Sequence, residues 1–105
     1  MSDPRDPSRE GSFKLKERSE SRRPQLYKVL LHNDDYTSQE WVVHVLQHFF
    51  RKNRAESVHL MLSVHHHGIA TVAVYSKEIA ETKVLQVTQA SRDAGFPLMC
   101  TCEPE

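Results

Sequence analysis

With 105 residues, 14 Lys and Arg against 14 Asp and Glu, and seven histidines, the chain has zero net charge when the imidazoles are neutral and room for one small core. Its cations are scattered, which excludes the basic stripe of a nucleic-acid binder, and no apolar run approaches the ~18 residues that span a membrane. Cys100 and Cys102, one residue apart, would project from one face of a strand and be awkward to join, which fits a reducing cytoplasm.

Residues 1 to 24 mix charges of both signs with serine and proline, and after Met1 their only large apolar side chains are Phe13 and Leu15. Such a segment cannot bury enough surface to offset the entropy of ordering, so a mobile extension is expected before a core domain at 25–105. It lacks the apolar stretch of a secretory signal. Asp3, Asp6, Glu10, Glu17 and Glu20 make it too acidic for a transit peptide.

Leu26 to Leu31, entered through Pro24, reads as a strand buried on both faces. The loop His32-Asn33-Asp34-Asp35-Tyr36-Thr37 follows. Thr37 with Glu40 has the spacing of a capping box, which would leave Asn33, Asp34 and Asp35 to face something positive or simply to form a solvated turn. Val42, Val45, Leu46, Phe49 and Phe50 recur at helical spacing, with Arg51 and Lys52 at the end that favours cations. Asn53 with Glu56 repeats the capping signature and starts a second helix, carrying Val58, Met61, Leu62 and His65, that ends about His65 before Gly68.

Ile69 to Tyr75 is rich in β-branched residues and too short for a stable helix, so it is the second strand. Ser76 caps a third helix whose stripe of Ala80, Val84, Val87, Ser91 and Ala94 suits close packing on a sheet, and Gly95 stops it. Leu98 to about Glu103 is the last strand. The order β-α-α-β-α-β predicts an α+β sandwich of two layers, three helices on a three-stranded antiparallel sheet.

Three stretches of the chain together resemble the ClpS family of adaptors. They are Tyr27-Lys28-Val29 leading through Asn33-Asp34-Asp35-Tyr36-Thr37, then Leu60-Met61-Leu62-Ser63-Val64-His65 before Gly68, then Ala80-Glu81-Thr82-Lys83-Val84. The resemblance implies an adaptor, not an enzyme, that captures N-degron proteins by a large apolar or aromatic first residue and delivers them to the AAA+ unfoldase ClpA for degradation by ClpAP. It implies that Asn33, Asp34, Asp35 and His65 meet the substrate's α-amino group. Leu31, Thr37, Gln39, Val42, Met61, Val64 and Leu98 would form the side-chain pocket, and Glu78 and Lys83 the face docking on the N-terminal domain of ClpA. Where the family often has proline then methionine after the threonine, this chain has Ser38 and Gln39. That methionine lines the pocket mouth and helps exclude β-branched side chains, so the polar Gln39 leaves the ranking of first residues open.

The chemistry stands beside the resemblance. A free α-amino group, with an ordinary pKa of about 7.7–8.0, presents a charge and three donors that an internal peptide nitrogen lacks. A cluster of acceptors therefore selects a chain start. Rival readings are weaker. A calcium loop starting at Asn33 has Ser38 where glycine is needed and His44 where the bidentate glutamate belongs. An acid-base pair of Asp35 and His65 lacks a nucleophile elbow or glycine-rich phosphate loop. The alternative is a small His/Cys metal-binding protein using His44, His48, His65 to His67 and the two cysteines, although it lacks a paired CxxC or HExxH pattern. No cofactor is implied.

Overall fold

A computed structural model describes residues 23–105; the expected mobile extension falls, all but its last two residues, outside that range. The elements run β1 (Leu26–His32), α1 (Gln39–Phe49), α2 (Arg54–His67), β2 (Ile69–Ser76), α3 (Lys77–Asp93) and β3 (Met99–Pro104). β1 is central, antiparallel to β2 on one side and to β3 on the other. This is the expected α+β sandwich.

Position in the sheet explains why β1 is apolar on both faces. Val29 and Leu31 are fully buried beneath the helices, while Leu30 on the opposite face is also buried. Its polar neighbours on that open face pair laterally: Lys28 bridges to Glu103 at 3.5 Å, and His32 shares a 2.8 Å hydrogen bond with the Thr101 hydroxyl. The β1–β2 register shifts between Val29 and Leu30, leaving Val72 as the extra residue on β2, a bulge that lets this side chain also join the core.

The core joins Val29 and Leu31 to Val42, Val45 and Leu46 of α1, Met61 and Val64 of α2, and Ala80 and Val87 of α3. Helix α3 lies close because the residues it turns inward, Ala80, Val87 and Ser91, are small. Ser91 also accepts the indole N–H of Trp41 at 2.9 Å, tying α3 to α1. Beyond Asp93 the chain forms a Schellman motif: Phe96 N–H donates to Ser91 C=O, Gly95 N–H to Arg92 C=O, and Gly95 takes φ 87°. Ala94, expected in the buried stripe, is exposed because it caps the helix from outside.

Several boundaries differ from expectation: β1 and β2 each run one residue further, to His32 and Ser76, and α1 stops at Phe49, short of Arg51 and Lys52. α2 runs on through His66 and His67, since the left-handed Gly68 and not His65 sets its end. β3 starts at Met99, one residue after the buried Leu98. The cap of α1 is Ser38, whose hydroxyl accepts Trp41 N–H at 3.1 Å, while Thr37 is engaged elsewhere.

Candidate functional site

The loop after β1 and the last turn of α2 meet because the sheet forces them together. β1 and β2 pair as far as His32 and Ile69, and Asn33 N–H then continues the ladder to Gly68 C=O at 2.9 Å. Gly68 closes α2 in a left-handed turn, φ 83°, its own N–H bonded to Val64 C=O at 2.8 Å. Val64 and His65 are thereby held beside Asn33.

Between them lies a cavity of about 220 Å³, walled by Asn33, Asp34, Asp35, Thr37, Gln39, Val42, Met61, Val64 and His65. Acceptor-bearing groups and apolar side chains thus share one hollow. Asn33, Asp35 and His65 are exposed, whereas Val42, Met61 and Val64 are buried contributors to the core, so the polar groups form the mouth and the apolar ones the floor. Tyr36, 80% exposed between Asp35 and Thr37, carries an aromatic ring into solvent at this loop, a feature the sequence reading left without a role.

Asp34 differs from its two neighbours. Its Oδ1 accepts Tyr36 N–H at 2.8 Å and Thr37 N–H at 2.7 Å, and its Oδ2 accepts the Thr37 hydroxyl at 2.7 Å. Its carboxylate is the loop's internal brace, not a charge left over from folding, and this is why Thr37 does not cap α1. Burial pushes its carboxyl up, but the hydrogen bonds from Thr37 and Tyr36 outweigh that and hold its pKa below the ordinary 3.8. Neither Asn33 nor Asp35 engages its side chain in a hydrogen bond among the described residues.

Leu31 and Leu98 do not reach this wall. Leu31 is fully buried on β1 facing the helices; Leu98, 4% exposed, borders a separate depression with Thr88, Arg92 and Phe96 at the far end of α3. Both serve the core. Glu78 and Lys83 lie on α3, at about 100° per residue some 140° apart around its axis, and so bound its outward face. That face also exposes Ile79 and Leu85, the latter at 70%, two apolar residues the sequence reading had not singled out.

The proposed metal ligands are dispersed. His44 and His48 stack on each other along α1 with ring centroids 5.4 Å apart, and His67 turns its Nδ1 back to Ser63 C=O. Cys100 is buried in the core, where desolvation first and the neighbouring Cys102 second push its thiol up to about 12, so it stays protonated at neutral pH. Among the described residues no three His, Cys, Asp or Glu side chains gather in a way that could hold a metal ion. Nor, among those residues, is any helix long and apolar enough to cross a membrane.

Comparison with known proteins converges on one family. The sequence profile of the "ATP-dependent Clp protease adaptor protein ClpS" family matches residues 22–101. An adapter protein ClpS of Ruegeria pomeroyi is 51% identical over 105 residues, covering 100% of this chain and 93% of that one. Its counterpart from Deinococcus radiodurans is 47% identical over 102 residues, covering 97% and 90% respectively. The solved structure of Agrobacterium tumefaciens ClpS2 bound to L-phenylalaninamide superposes with a TM-score of 0.77 at 48% identity, over 79% of this chain and 100% of that one. The match embraces all three helices and β1 and β2, with the loop and helix end that wall the cavity, and on this ground the chain belongs to the ClpS family of Clp protease adaptors.

Proposed function

We propose that this protein is an adaptor that binds polypeptides by a free α-amino group and a large apolar or aromatic first side chain, and presents them to the Clp protease. The observation that carries this is the single hollow in which Asn33, Asp35 and His65 rim a floor of Val42, Met61 and Val64. Three donors on an ammonium meet acceptors at the rim, while the first side chain leaves water for the floor. Charged hydrogen bonds contribute roughly 1.5–3 kcal/mol each, and burying a leucine or phenylalanine side chain adds about 1.5–3. Less the cost of association, this suits a dissociation constant around micromolar, about −8 kcal/mol. Cargo held so can be released. A relative with phenylalaninamide bound supports the same ligand chemistry.

In this reading Asp34 acts by shaping the loop, Thr37 by supporting it, and Gln39 and Met61 by setting which first side chains fit. The unfoldase partner is ClpA, docked on α3 through Glu78 and Lys83, with the exposed Ile79 between them adding apolar contact. Residues 1–24 form an extension to the core domain 25–105 and assist handover to the unfoldase, and the setting is the bacterial cytoplasm.

The test separates the two surfaces. Met61→Ala is expected to weaken binding of a peptide beginning with phenylalanine about tenfold or more while leaving docking on the ClpA N-terminal domain intact; Glu78→Ala with Lys83→Ala is expected to do the reverse. Calorimetric titration of each variant with peptide and with that domain checks both. Loss of both activities in either variant, with the fold intact, contradicts the assignment.

A further inference from the structure

A second hollow opens off the first and is larger, about 540 Å³. The two share Gln39 and Met61. From there the groove follows the α1–α2 hairpin, walled on α1 as far as Gln47 and on α2 from Met61 back to Arg54, with Val43, Val58 and Met61 as its apolar floor. The seven residue steps of helix from Arg54 to Met61 rise ~10 Å at 1.5 Å each. That is the reach of about three residues of extended chain. The site cavity, at about 220 Å³, falls below the ~300–1,000 Å³ of a drug-sized ligand site and suits one side chain; the groove lies inside that range.

Charge is graded along the path. Asp35 and Glu40 stand near the end where the amine would sit. Arg54 stands at the other, in the first turn of α2, with no ion pair among the described residues. A polypeptide that starts with a cation and carries an acid a few residues later matches that gradient from end to end.

We infer that this groove receives residues two to four of the bound polypeptide, apolar contact being made to Val43 and Val58 and an acidic fourth residue facing Arg54. The inference rests on the first-residue site proposed above and extends it from a single amino acid to a short sequence. A ligand of one residue would reach no further into the groove than the Gln39 and Met61 that the two hollows share.

The experiment uses the full chain, three probes and low ionic strength, where exposed charges are least screened. The probes are phenylalaninamide and two tetrapeptide amides that begin with phenylalanine and end in glutamate or lysine. Wild type is expected to bind the glutamate peptide about two- to fivefold more tightly than the lysine peptide, the range of an exposed ion pair. Arg54→Glu is expected to reverse that order and leave phenylalaninamide affinity unchanged. The substitution sits at a helix start, where an acid is tolerated. Equal affinities for the two peptides, or an order that Arg54→Glu does not change, overturns the groove while phenylalaninamide binding keeps the first-residue site. Failure of wild type to bind phenylalaninamide removes both.

Discussion

Acetylating the α-amino group of a peptide that begins with phenylalanine is expected to weaken its binding at least a hundredfold, which is ~2.8 kcal/mol. The acetylated amide keeps one N–H where the ammonium offered three, and it loses the charge that faces Asp35. Two charge-assisted hydrogen bonds, each worth about 1.5–3 kcal/mol, are enough to account for such a loss. The aromatic side chain is unchanged, so the floor of Val42, Met61 and Val64 gains or loses nothing. The comparison isolates the rim. Fluorescence anisotropy with free and acetylated versions of one labelled peptide checks it, and similar affinities would mean that only the apolar hollow matters.

The two adjacent carboxylates are expected to fail in different ways. Asp34→Ala removes three acceptor contacts, to Tyr36 N–H, Thr37 N–H and the Thr37 hydroxyl, and so slackens the loop that carries the rim. A loss of ~1–2 kcal/mol of stability is expected, together with weaker peptide binding. For a domain of this size that is a fall in melting temperature of roughly 4–16 °C. Asp35→Ala should leave the melting temperature nearly unchanged, since exposed substitutions shift stability by about 0.5 kcal/mol or less. Its peptide binding should nonetheless fall about ten- to a hundredfold through loss of a charged acceptor.

Acid titration reads the Asp34 brace directly. Because the folded pKa of Asp34 lies below 3.8, its contribution to stability is fully present above that ordinary value and is lost as pH falls through the lowered one. Asp34→Asn should flatten that acid limb. Differential scanning fluorimetry across the acid range, with peptide titrations at neutral pH, distinguishes brace from ligand. An Asp35→Ala protein that melts like Asp34→Ala would contradict the division of labour.

Much of the architecture was legible because local signals and hydrophobic period agreed. Asn53 capped α2 through Glu56 N–H as its spacing implied, Gly68 and Gly95 ended helices in left-handed turns, and the doubly apolar β1 lay at the centre of the sheet. The loop misled for a physical reason. Asp34, Thr37 and Ser38 all have side chains that can bond nearby backbone, and which one caps α1 depends on the turn Asp34 closes, a competition that spacing alone does not decide. Leu31 and Leu98 lie outside the cavity wall although they share the core with Val42, Met61 and Val64, because side-chain direction after packing, which apolar character alone does not reveal, decides which core residues also border the hollow. The groove beyond Gln39 stayed invisible because its walls lie on two helices and become one surface only when the hairpin closes.

The central claim is that acceptors at the junction of the β1 loop and α2 hold a chain's first nitrogen above an apolar floor. A crystal structure of the protein with a short peptide beginning with phenylalanine tests it most directly. The account requires the amine nitrogen within hydrogen-bond distance of Asn33, Asp35 and His65, and the phenyl ring against Val42, Met61 and Val64. Peptide bound elsewhere, or lodged there with its amine turned to solvent, would contradict it.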